Sequence, residues 1–94
     1  MLVTAVECQD CNSIVYSRAD GDVRNCICGS IMVYGGQNHF RYDAHTNSKH
    51  QVIKINIKTT PSELYEDWHN MEDYFGLIEN TNTSQEERVQ TYNL

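Results

Sequence analysis

No stretch of this chain approaches the roughly 18 consecutive apolar residues that a membrane-spanning helix requires. Its first ten residues, "MLVTAVECQD", lack the basic start and apolar run of a secretory signal. These two absences point to a cytoplasmic protein, where thiols stay reduced. An excess of basic residues is also missing: seven Lys/Arg stand against 13 Asp/Glu, a net charge of −6. That deficit removes the long-range attraction on which nucleic-acid binding usually relies. It is unevenly placed, with four basic against five acidic residues in 1–50 and three against eight in 51–94. No glycine-rich phosphate loop, G-x-S-x-G or H-E-x-x-H is present, so the motifs that announce common hydrolytic and phosphoryl-transfer chemistry are missing. No internal repeat is read before the last fifteen residues.

What is present is a four-cysteine pattern in a chain of 94 residues, one domain or one domain with a tail. So short a chain gains from an extra staple. Cys8-x-x-Cys11 is a knuckle spacing, and after 14 intervening residues Cys26-x-Cys28 follows, with Gly29 behind it. Two chelating pairs on tight turns suit the four tetrahedral thiolate ligands that zinc prefers. Gly29 gives the backbone freedom that a turn around a metal needs just behind the last sulfur. The reading is therefore a structural zinc on Cys8, Cys11, Cys26 and Cys28, its shell closed and carrying a formal charge of about −2. Two disulfides, a redox pair at Cys8 and Cys11, or a site of Cys26, Cys28, His45 and His50 are the weaker alternatives. The last would strand the first cysteine pair.

Hydrophobic periodicity places these residues on short antiparallel strands: 2–7, 13–18, 22–27, 30–35, 38–43 and 51–59. Asp20-Gly21 signals a hairpin between the second and third strands, and Gly35-Gly36 marks a second tight turn. Ile53, Ile55 and Ile57 alternate with Lys54, Asn56 and Lys58, the pattern of a half-buried strand. The period then changes. Thr60 as N-cap, Pro61 in the first turn and Glu63 completing a capping box start a helix. Its stripe is Leu64, Trp68, Met71 and Phe75, and Gly76 is its stop. Ser84 with Glu87 reads as the cap of a short second helix, the alternative being a frayed tail. The predicted architecture is α+β: a zinc-ribbon-like antiparallel β domain over 1–59, an amphipathic helix over 60–76 packed on it, and a tail over 77–94.

The segment "CQDCNSIVYSRADGDVRNCICGSIMVYGGQNHFR" resembles a family of small zinc-ribbon-like proteins of uncharacterised function that recur in bacteriophage genomes. The resemblance covers about residues 6–41. It rests on the four cysteines, Ser17-Arg18, Asp22, Arg24, Gly29, Gly35-Gly36 and Arg41. It implies a phage accessory protein and names no reaction.

Two surfaces are candidates for a partner. Between Pro61 and Phe75 stand Glu63, Glu66, Asp67, Glu72 and Asp73, with no Lys or Arg. Glu72 and Asp73 fall where the helix dipole disfavours negative charge, so helix stability does not account for them. An acidic surface that docks on a basic host protein, such as one that acts on nucleic acid or in host defence, is the sharper reading. A solvated face is the plainer one. Arg18, Arg24 and Arg41 form the alternative, a basic patch for a nucleic-acid-binding ribbon of transcription or replication type. The plainer reading of that patch pairs Arg18 and Arg24 with Asp20 or Asp22 across the hairpin. The expectation is a non-enzymatic zinc protein that binds and modulates or inhibits a host protein.

Overall fold

A computed structural model of the chain describes residues 1–78 and the backbone of the strand at 86–92. The order is β1 (Leu2–Cys8), β2 (Ser13–Val15), β3 (Arg24–Asn25), β4 (Ile31–Tyr34), β5 (Arg41–Ala44), β6 (His50–Ile57), α1 (Pro61–His69), β7 (Leu77–Ile78) and β8 (Glu86–Tyr92). The protein is β-rich α+β. One antiparallel sheet runs β7-β2-β1-β6-β8 and a second runs β3-β4-β5. Among the described residues, no helix is long and apolar enough to cross a membrane.

Strand alternation explains how the two sheets and the helix share one core. In β1, Val3 and Ala5 point to one face and Val6 and Cys8 to the other. The first face gathers Ile14, Tyr16, Ile53, Ile55, Ile57 and Ile78, with Leu64 of α1 over it. The second gathers Val15 and Val52 with Ile31 and Val33 of the second sheet and Cys26 of the loop between β3 and β4. The central strand is thus buried on both sides. Pairings such as Ala5↔Ile53, Val6↔Val52 and Val6↔Val15 hold the register. Beyond the end of β2 the ladder is continued by a side chain. The Gln37 amide accepts from Thr4 N–H at 2.6 Å and donates to the carbonyls of Thr4 and Ser17 at 3.2 and 3.0 Å.

Three expectations need correction. The Asp20-Gly21 step does turn, with Asp22 N–H bonded to the Ala19 carbonyl at 2.9 Å. It is a corner between sheets, though, not a hairpin. β2 pairs with β1 and β7, whereas β3 pairs with β4. Ser17 fastens this corner, donating to the Asp22 and Ala19 carbonyls and accepting from Gly36 N–H. The hairpins form instead across the two cysteine knuckles.

The helix is shorter than its apolar spacing suggests. Thr60 caps it by accepting from Glu63 N–H at 3.2 Å, but it ends at His69 and not near Gly76. Glu72 N–H bonds to the Asp67 carbonyl and Met71 N–H to that of Trp68. These are the two bonds of a Schellman stop, with Met71 at φ +58 in the place usually taken by glycine. The stripe is broken accordingly: Leu64 is buried, Trp68 and Phe75 are half-buried, and Met71 is 92% exposed. Asp67, assigned to the exposed acidic face, is buried in its place.

The third correction concerns the end of the chain. Glu87 belongs to β8, which pairs antiparallel with β6 from Val52↔Tyr92 to Ile57↔Glu86. The long edge of β6 offers a ladder of backbone bonds, and this overrides a weak local helix signal. Ser84, the expected cap, lies outside the described residues.

Candidate metal centre

Each cysteine pair sits in the loop of a hairpin. The β1–β2 loop carries Cys8 and Cys11, and the β3–β4 loop carries Cys26 and Cys28. The second sheet packs on the first through the cluster that contains Cys8, Cys26, Ile31 and Val33, so the two loops meet. All four Sγ atoms lie within 4.8 Å of one another. Cys8 and Cys28 are 3.7 Å apart, and Cys26 and Cys28 are 3.6 Å apart. Four sulfurs at about 2.3 Å from a tetrahedral zinc would be separated by about 3.8 Å. The cluster has the size and the donor set to hold a metal ion. These separations are far above the roughly 2.05 Å of a disulfide, and all four thiols are free. Neither His45 nor His50 belongs to the cluster found among the described residues.

The two knuckles are built alike. Directly behind the second cysteine of each stands a residue in the left-handed region, Asn12 at φ 58 and Gly29 at φ 80. This turns the chain back under the sulfurs into β2 or β4. Two residues behind each second cysteine stands a serine. Ser13 Oγ lies 2.9 Å from Cys11 Sγ. Ser30 Oγ lies 3.1 Å from Cys28 Sγ and 3.4 Å from Cys8 Sγ. Ile31 N–H also points at Cys26 Sγ, at 3.3 Å. Polar hydrogens directed at the sulfurs offset the negative charge that four thiolates concentrate.

This balance differs around the site. Burial pushes the Cys8 thiol up to about 11, against the hydroxyl of Ser30 and nearby backbone amides. At Cys11 burial acts in the same direction, but the Ser13 hydroxyl and the amides of Cys28 and Ser13 outweigh it and bring the thiol down to about 6. Cys28, at the exposed edge, is lowered by the hydroxyl and amide of Ser30. One side of the cluster is therefore already inclined to the thiolate form that metals bind.

Asn12, Ser13 and Ser30 were missed in the sequence, yet a signal was there. Cys11-Asn12-Ser13-Ile14 and Cys28-Gly29-Ser30-Ile31 are the same four-residue phrase, with Asn and Gly exchanged at the left-handed position. The two halves of the site repeat each other over too few residues to stand out as an internal repeat.

The three arginines do not share one environment. Arg18 is buried and takes part in a charge cluster that no periodicity announced. Its guanidinium donates to both oxygens of Asp22, to Asp67 at 2.6 Å and to the Glu72 carbonyl at 2.6 Å. Asp67 in turn accepts from Tyr74 and Phe75 N–H at 3.2 and 3.1 Å. The pairing of Arg18 with Asp22 follows the plainer expectation; that with Asp67 was not foreseen. Arg24 reaches neither Asp20 nor Asp22 but Asp73, at 3.0 Å. Arg41 is exposed, and its side chain has no hydrogen-bond or ion-pair partner among the described residues. On the acidic side, Glu63, Glu66 and Asp73 are exposed and Glu72 is half-buried. Asp67 leaves that face altogether.

Comparison with known proteins places this geometry beside one family. Residues 1–43 are similar to a family described as a domain of unknown function, DUF7695. The matched stretch spans both cysteine knuckles, Arg18, Asp22 and Gly35-Gly36, and stops before β6 and α1. No curated protein and no solved structure matches the chain.

Proposed function

We propose that this chain is a non-enzymatic, zinc-stabilised binding module: a phage accessory protein that docks on a basic surface of a host protein and modulates or inhibits it. Four thiolates close the zinc shell, leaving no open position for a reacting water, which is the structural arrangement and not the catalytic one. The zinc is then part of the scaffold, and the work falls to the surface of α1 and the loop behind it.

Met71 carries the docking reading. A left-handed conformation costs a residue with a side chain roughly 1–2 kcal/mol, and glycine would occupy the Schellman position without that cost. The loop is locked by the Arg18–Asp67 pair, so the conformation holds an apolar side chain out at 92% exposure. Strain that displays a residue motivates a functional reading. Glu72, Asp73 and exposed Val23 line the same depression as Met71, and Glu66 and exposed Tyr74 share with Glu72 the one next to it. Acidic rim and apolar centre together suit a basic partner surface with an apolar patch. The test is capture from a host lysate, identification of the retained protein, and titration of that purified partner. Glu66→Lys/Glu72→Lys should weaken binding at least tenfold, and added salt should weaken the parent complex. Parent-like binding by this variant, with loss of binding in Arg41→Ala, would remove the acidic-surface reading.

A further inference from the structure

We infer that the cavity between the Ala19–Asp22 corner and helix α1 receives one cationic side chain, lysine or arginine, from the docked partner. The inference rests on the docking reading and names the contact within it. The cavity has a volume of about 470 Å³ and is walled by Tyr65 and Trp68. The two rings meet as a corner, with centroids 5.5 Å apart and planes at 63°. Tyr65 is backed by His69, stacked on it at 5.7 Å and 11°. Gly21 lets the indole approach this closely: a Cβ there would sit 2.9 Å from the Trp68 ring.

The polar groups of this cavity favour a cation. Asp20 is exposed at its edge and has no hydrogen-bond or ion-pair partner among the described residues. The positive groups there are already engaged. Arg18 is held by Asp22, Asp67 and the Glu72 carbonyl. The Met1 ammonium bonds to the Ile57 carbonyl and to Asn56 Oδ1. What the cavity offers is one unpaired carboxylate, two aromatic rings and the exposed Asn38, in a chain of net charge −6. An aromatic corner with an adjacent carboxylate is the arrangement that holds lysine or arginine by cation–π and charge attraction together.

Trp68 is the only tryptophan and lines both this cavity and the Met71 depression beside it, so an emission change is assigned to the cavity only where Asp20→Asn reduces it. The zinc-loaded protein would be titrated with hexa-arginine, hexalysine and hexaglutamate peptides, by fluorescence and by calorimetry in parallel. The expected result is a saturable change in Trp68 emission with the basic peptides only. Asp20→Asn and Tyr65→Ala should each weaken it about two- to thirtyfold. Asp20 has no partner to lose, so that variant keeps the fold even if Tyr65→Ala does not. Heat of binding without an emission change, unaltered by Asp20→Asn, would overturn the cavity assignment and leave the docking surface standing. Neither heat nor emission change with either basic peptide would overturn both.

Discussion

Replacing Arg18 by methionine keeps an apolar stem of similar reach and deletes the guanidinium that joins three segments of the chain. Asp22 and Asp67, 3% and 5% exposed, would then be buried without their counter-charge. Removing one partner from a buried ion pair costs about 3–5 kcal/mol. Three backbone N–H groups still bond these carboxylates, Arg18 to Asp22 and Tyr74 and Phe75 to Asp67, so the loss should not exceed that range. Arg24→Met is the control. Its pair with Asp73 is open to solvent, the carboxylate side chain being 79% exposed, and such pairs contribute about 0–1 kcal/mol. Urea melts of zinc-loaded, reduced protein would separate the two. With a slope of about 1.5 kcal/mol/M, Arg18→Met should lower the midpoint by about 2–3 M and Arg24→Met by less than about 0.7 M. If the two variants melt alike, the buried charge cluster does not hold the corner to the helix as described.

Further outcomes follow from the same geometry. Gly36→Ala should destabilise by about 2 kcal/mol or more in the same melts, because φ is +66 and the new Cβ would lie 2.8 Å from the Ala19 backbone. Met71→Gly should raise stability by up to about 1 kcal/mol while weakening partner binding; a loss of stability would remove the strain argument. Trp68→Ala should cost about 2 kcal/mol, less than a fully buried tryptophan, since the ring is half-buried over Gly21. Zinc affinity should rise with pH. Cys8, with its thiol at about 11, is protonated throughout pH 6–9 and must release that proton to bind. This gives at least a tenfold gain per pH unit, and Cys11 adds a second proton below about 6. A pH-independent affinity in competition titrations would contradict these thiol assignments.

The features legible in the sequence were those set by local chemistry. The cysteine spacing identified the cluster because chelation is a short-range constraint, and Gly29 was read from the turn that it must make. Alternation of Ile53, Ile55 and Ile57 gave β6, and Thr60, Pro61 and Glu63 gave the start of α1. What failed depended on distant partners. The apolar spacing at Met71 and Phe75 suggested a longer helix, but Arg18, 49 residues from Asp67, draws the Asp67 carboxylate inward and the following loop closes on it. Asp67 lies three residues after Leu64, on the same face, and periodicity alone cannot reveal an ion pair across that distance. The Asp20-Gly21 step is a turn by any local criterion. Whether it closes a hairpin or passes between sheets was decided by Ser17, Gly36 and the pairing of β2 with β1. β8 was lost for the same reason, since its ladder is supplied by β6.

Native mass spectrometry of the reduced protein tests the central claim most directly. The account predicts a mass equal to the chain plus one zinc less two protons, the number whose charge Zn2+ replaces, with Cys8, Cys11, Cys26 and Cys28 protected from alkylation until a chelator is added. A folded protein carrying no metal, with all four thiols open to alkylation, would contradict it.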